Sequence, residues 1–244
     1  MSSFVMLTAA FATVSAFSRV SRRTVPCHRL YSAVHLEDHV IEENTKDWVR
    51  RVVVGWNLCP FAEKPLREGN LDIEIVRGRD EKKILSTVLS ASLSRSDNPG
   101  TTIVVAPECC PDNFRGYLEF VETLQEDLFP EYDLTGIVQI APFHPLFEFE
   151  DSDGVDTYTN KSPHPMFHVL REEEVGHAVQ KLNGDSSIVW RRNVDLLESL
   201  EDCFGGDKLD KIIRDGPSDD KDTTLLKGLL RKHRFRLPSQ KETS

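Results

Sequence analysis

Cysteine is sparse in this chain and badly spaced for most of its usual tasks. Five occur in 244 residues, and none forms a C-x-x-C pair. That excludes a zinc ribbon, and the adjacent Cys109 and Cys110 do not make a disulfide framework. The sequence also lacks a Walker loop, G-x-G-x-x-G, G-x-S-x-G and H-E-x-x-H. The common signatures of nucleotide binding, serine hydrolysis and zinc proteolysis are therefore missing. Long hydrophobic runs are missing too. The uncharged stretch from Phe4 to Phe17 falls short of the ~20 residues a membrane span requires.

Acidic residues are absent from the first 36 positions, which hold Arg19, Arg22, Arg23 and Arg29. An apolar core ending at Val14-Ser15-Ala16 precedes an Arg- and Ser-rich stretch, Ser18 to Thr24. A signal-like segment (1–16) followed by a transit-like one (17–36) resembles the bipartite presequence of complex-plastid algae. The expectation is a removable targeting peptide and a plastid destination, with the mitochondrion as the alternative.

What remains carries 26 basic against 40 acidic residues, a net charge of −14. Such a domain is a poor nucleic-acid binder unless it segregates a basic face. Hydrophobic residues make up 39% of the chain, enough for one soluble domain with a substantial core. The expected organisation is a globular domain over 37–204 and a polar, basic, partly disordered tail over 205–244.

Periodicity sets the expected elements. Ile41, Trp48, Val49, Val52, Val53 and Trp56 share one face of a helix over 38–56, which Pro60 stops. Leu71, Ile73 and Ile75 alternate with Asp72 and Glu74 as a half-buried strand. Asp80 caps a second helix bearing Ile84, Val88 and Leu89. Thr101 to Ala106 is a short apolar strand, and Asp112 opens a third helix reaching Leu128. Ile137 to Ala141 is the third strand. The pattern βαβαβ, without hairpin signals, predicts an α/β fold with a three-stranded parallel or mostly parallel sheet and helices on both faces. Right-handed crossovers place both intervening helices on one face, leaving the other to the first and the C-terminal helices. After the long connection 142–166, a helical pattern resumes over 166–182, with a break near Glu172. Another returns at 193–200, and 223–236 reads as a short basic amphipathic helix.

Chemistry-bearing side chains come from distant segments. His144, between prolines beyond the third strand, could serve as acid, base or ligand, or be a turn histidine satisfied by backbone. Cys59 follows the first helix, whose C-terminal dipole would raise the thiol pKa; it could be a nucleophile or a buried small hydrophobe. In the run 158–172, His164 and His168 are four apart, which would put both imidazoles on one helical face as metal sites use. Alternatively, Asn160 and Ser162 make turn hydrogen bonds, Phe167 and Leu170 pack, and Arg171 pairs with an acid. Arg191-Arg192-Asn193 reads as a helix start suited to a phosphate or carboxylate.

Three motif runs resemble the domain-of-unknown-function family 1415 of bacteria and algae. They are Trp48 to Phe61 with its Asn57-Leu58-Cys59-Pro60-Phe61 end, Gly136 to Pro145, and Tyr158 to Glu172. Arg192-Asn193 matches a late Arg-Asn pair. The resemblance covers about residues 45–203 and brings no established activity with it. It implies that Asn57, Cys59, Pro60, His144, Asn160, Ser162, Pro163, Pro165, His168, Arg171 and Asn193 are characteristic positions. A Tyr is usual where His164 stands, which weakens the paired-histidine metal site.

The combined expectation is a small-molecule enzyme acting on an anionic substrate. Cys59, His144 and His168 are the candidate catalytic groups. Asn57, Asn160, Ser162, Arg171, Arg192 and Asn193 are the candidate substrate contacts. The alternatives are a non-catalytic ligand-binding or adaptor domain, or a metal-binding protein using His144 and His168. No cofactor is signalled.

Overall fold

The computed structural model describes residues 36–149 and 154–237. The expected targeting segment lies outside the described residues, apart from its last position. Helix α1 (Asp38–Trp48) places Ile41, Thr45 and Trp48 inward, as the spacing requires. It then widens into a π-helical stretch, Val49–Val54, closed by the Gly55 N–H donating to the Arg50 carbonyl at 2.9 Å. A Cβ on Gly55 would lie 2.2 Å from the Arg51 carbonyl oxygen, so only glycine fits this turn. A short helix α2 (Glu63–Glu68) follows.

Strand β1 (Leu71–Ile75) shows the alternating burial its sequence implies. Helix α3 (Glu81–Asp97) starts where Asp80 accepts from the Lys83 N–H at 3.0 Å. Strand β2 (Thr101–Val105) is buried on both faces. Helix α4 (Phe114–Glu122) is capped by Asn113 rather than Asp112. It runs on through a π-helical stretch, Thr123–Leu128, into a single turn, α5 (Phe129–Glu131). Strand β3 spans Val138–Phe143.

The sheet differs from the expected three parallel strands. It has four, in the order β1-β2-β4-β3. Strand β4 (Met166–Arg171) lies between β2 and β3 and runs antiparallel to both, while β1 and β2 are parallel. The expected helix over 166–182 is therefore a strand joined at Glu172 to helix α6 (Glu172–Lys181). Met166, Phe167 and Val169 are fully buried. A strand covered on both faces has no alternation, and such a short apolar run looks the same as a buried helical turn. This also excludes a shared helical face for His164 and His168.

Helices cover both faces. Val104, Val138, Ile140, Phe167 and Val169 pack under α3 and α4. Ile103, Val105, Ala141, Phe143 and Met166 pack under α1 and the C-terminal helices. Those helices are α7 (Ser187–Phe204), α8 (Gly206–Asp215) and α9 (Asp220–Lys232). The expected tail from 205 onward is thus folded as far as α9. Leu209, Ile212 and Ile213 are buried in the core, and Arg51 binds the Ile212 and Arg214 carbonyls at 3.0 and 3.1 Å. Among the described residues no helix is long and apolar enough to cross a membrane.

Candidate functional site

The π-helical end of α1 delivers the chain into a tight turn at Trp56–Cys59, where Asn57 adopts φ +55°. Helix α7 locks that turn. Arg192 donates to the Trp56 and Asn57 carbonyls at 2.8 and 3.1 Å, and through Nε to the His233 carbonyl at 2.7 Å. It also meets the Asn193 side-chain oxygen at 2.9 Å, while Asn193 Nδ2 donates to the Leu58 carbonyl at 2.9 Å. Helix α7 begins at Ser187, so Arg192 and Asn193 stand in its second turn. No free N-terminal N–H group is beside them, and the expected anion-binding helix start is not formed.

Beside this turn lies an open groove of about 430 Å³. Trp56, Asn57, Cys59 and Arg192 line one side, and Lys227, Leu230, Arg231 and Arg234 line the other. Glu63 is the single acid among its lining residues. The Lys227, Arg231 and Arg234 side chains make no hydrogen bond or ion pair with any described residue. Arg192 is different in kind, since carbonyl oxygens occupy it and burial pushes its pKa down to about 10. It remains cationic at neutral pH.

Cys59 does not sit on a bare helix C-terminus as expected. Burial pushes its thiol pKa up, while the Phe61 and Ala62 backbone N–H groups, donating to the sulfur, pull it down and lose to burial. The resting group is a neutral thiol, because burial outweighs the two N–H groups.

The remaining candidates are absent from the groove lining. The His144 amide donates to the Asn160 carbonyl at 3.1 Å, and Asn160 Nδ2 donates to the Pro142 carbonyl at 2.9 Å. The His144 ring is spent on backbone: Nδ1 accepts from the Leu146 N–H and Nε2 faces the Cys110 carbonyl, each at 3.0 Å. Those partners define the Nε2–H tautomer. Burial against Phe114 and Tyr117 lowers its pKa to about 4. Ser162 donates to the His164 carbonyl at 2.6 Å.

His168 lies on β4 with Nε2 2.7 Å from the Thr101 hydroxyl, which itself donates to the Val169 carbonyl. Burial lowers its pKa to about 4 as well. Arg171 pairs with Glu173 at 3.2 Å. Among the described residues no cluster of three or more His, Cys, Asp or Glu side chains could hold a metal ion.

The structure thus brings Asn57, Cys59, Arg192 and Asn193 together, and separately joins His144 to Asn160. The groove cations Lys227, Arg231 and Arg234 were not singled out as contacts. Their signal was the basic amphipathic pattern over 223–236, which is indistinguishable in sequence from a solvated tail.

The chain belongs to the family described as "Protein of unknown function (DUF1415)", whose model matches residues 40–204. Helices α8 and α9, with the groove cations, lie beyond the matched region. No match was found among curated proteins or among solved structures.

Proposed function

We propose that the domain recognises a small, multiply charged anion, a phosphate ester or polycarboxylate, in the groove between the Trp56–Cys59 turn and α9. One observation carries this reading: the Lys227, Arg231 and Arg234 side chains gather there without partners among the described residues, in a chain of net charge −10. The overall field of such a chain repels anions, so affinity must come from local cations. Guanidinium groups supply planar, paired donors for carboxylate or phosphate oxygens. Asn57 and Cys59 line the opposite side and can orient the ligand.

Titration calorimetry at low salt with pyrophosphate and with citrate tests this. Saturable binding that weakens as salt rises is expected. It should vanish in the Lys227→Gln/Arg231→Gln/Arg234→Gln variant while the circular dichroism spectrum is unchanged. A native protein that binds neither probe at millimolar concentration would overturn the proposal.

A second reading, catalysis with Cys59 as nucleophile, is favoured by the Phe61 and Ala62 N–H groups aimed at its sulfur. These would lower the cost of forming a thiolate there. Cys59→Ser should then abolish turnover of a bound anion yet leave its affinity intact. Turnover surviving that substitution would remove Cys59 from any catalytic role.

We also propose delivery to a plastid, on the acid-free composition of residues 1–36. A fluorescent fusion of that segment that stayed in the cytosol would contradict it.

A further inference from the structure

Two adjacent free cysteines lie away from the groove, beyond the carboxyl end of β2. Pro107 to Cys110 form a turn in which the Cys109 N–H bonds the Ala106 carbonyl at 2.9 Å. Cys110 is held at φ +50°, a conformation side chains rarely adopt. Its carbonyl takes two hydrogen bonds, from the Asn113 N–H at 2.9 Å and from His144 Nε2 at 3.0 Å. The turn is therefore fixed from both sides, with the two thiols on adjacent residues.

The two sulfurs differ in access. Cys109 is 1% exposed and packs in the core beneath α3 and α4. Cys110 is half-buried, and its sulfur lies close to Gly116 in the first turn of α4, 3.2 Å from where a Cβ would stand. Gly116 thus leaves room for it. The positive end of α4 and the Arg79 side chain favour an anionic Cys110 sulfur, against burial and the carboxylates of Glu119 and Asp112. The largest effect is the neighbouring Cys109 thiol, which lowers the Cys110 pKa overall, while Cys110 and burial raise that of Cys109.

We infer that Cys110 and Cys109 form a dithiol redox site, in which accessible Cys110 attacks a low-molecular-weight disulfide and buried Cys109 resolves the product. The Cys110 thiolate forms a bond to one sulfur of the oxidant, whose S–S bond breaks and releases one thiolate. The Cys109 sulfur then attacks the Cys110 sulfur, its thiol proton passing to the departing sulfur. That expels the second thiol and leaves a Cys109–Cys110 disulfide. Two electrons pass from the protein to the oxidant, which leaves as two thiols. Because a bond between adjacent residues must distort the turn, the His144 contact to the Cys110 carbonyl is where oxidation would be felt first.

The test treats the full chain with oxidised glutathione, alkylates remaining thiols in denaturant and maps peptides by mass spectrometry. In the native protein the peptide holding both residues should lose two hydrogens, gain no glutathione and resist alkylation. Cys109→Ser, or Cys109→Ala should the first variant fail to fold, should trap one glutathione on Cys110. Cys110→Ser should leave Cys109 unmodified, and Arg79→Ala should slow the first step severalfold. Full alkylation of both thiols, under conditions that thiolate exposed Cys203, would overturn the assignment. So would a mixed disulfide on Cys110 that persists in the native protein.

Discussion

Arg192 Nη2 donates to the Trp56 carbonyl oxygen at 2.8 Å, joining the middle of α7 to the turn that ends the first helix. With the Asn57 and His233 carbonyls also satisfied by the same guanidinium, one side chain holds three chain segments. Its removal would orphan three carbonyls in a partly buried place. Arg192→Ala should cost about 3 kcal/mol, the scale of a charged hydrogen-bond donor withdrawn from buried acceptors. Arg192→Lys should recover only part, because an ammonium cannot match the planar fork. Urea denaturation of the two variants checks this, and a loss below about 0.5 kcal/mol in both would exclude a structural role.

Two glycines give opposite expectations. A methyl on Gly55 would meet the Arg51 and Arg50 carbonyl oxygens at 2.2 and 2.9 Å, which no rotamer change can relieve. Gly55→Ala should therefore destabilise by roughly 1–3 kcal/mol and disturb the groove beside it. Gly176, inside α6, has nothing within 4 Å of its would-be Cβ and no positive φ. Gly176→Ala should stabilise by up to about 1 kcal/mol, through helix propensity alone. Thermal denaturation of the pair reads both signs in one experiment.

Acid should weaken the fold through His144 and His168. Each imidazole has its pKa lowered by burial from 6.5 to about 4. Between those values the unfolded chain holds protons that the folded chain does not. Stability is therefore complete above about pH 6.5, declines as pH falls towards 4, and loses nothing further from these groups below that. For fully buried His144 the loss across the window amounts to about 3 kcal/mol; His168 adds in the same direction. Denaturation midpoints from pH 7.5 to 4.5 should fall in the native protein and fall less steeply in His144→Gln and in His168→Gln. Slopes unchanged by both substitutions would mean that neither imidazole is held neutral by the fold.

Much of this was legible where a segment has one wet and one dry face. The alternation of β1, the Asp80 cap and the inward stripe of α1 follow from period and capping chemistry, and the structure reproduces them. Legibility failed where burial is two-sided or where partners are distant. Met166–Arg171 carries no alternation because both faces are covered, so its place between β2 and β3 could not be inferred. His144 and Asn160 look reactive in sequence, yet their polar atoms bind backbone at Cys110, Leu146 and Pro142, partners that no local pattern announces. Asn57, Cys59 and Arg192 share a groove because α7 returns to the first turn, a tertiary fact. Its cations were visible only as charges on an amphipathic stretch.

The same difficulty concealed α8, and it yields a decisive expectation. Its sequence, Gly206 to Asp215, is rich in charge and reads as solvated tail. Yet Leu209, Ile212 and Ile213 are at most 2% exposed, and Arg51 caps the helix by binding the Ile212 and Arg214 carbonyls. Cations at a helix C-terminus satisfy the last carbonyls and oppose the dipole's negative end. If α8 is part of the core, Leu209→Ala should cost about 2–5 kcal/mol, since truncation leaves a cavity in a packed interior. Arg51→Ala should cost less, because Arg51 is partly exposed and its pairing with Asp47 is on the surface. The exposed Lys211→Ala on the same helix should change stability by less than about 0.5 kcal/mol. Equal, negligible effects from Leu209→Ala and Lys211→Ala in urea would mean that α8 detaches in solution. In that case α9, which follows α8 and carries the groove cations Lys227 and Arg231, would lose its connection to the core through α8.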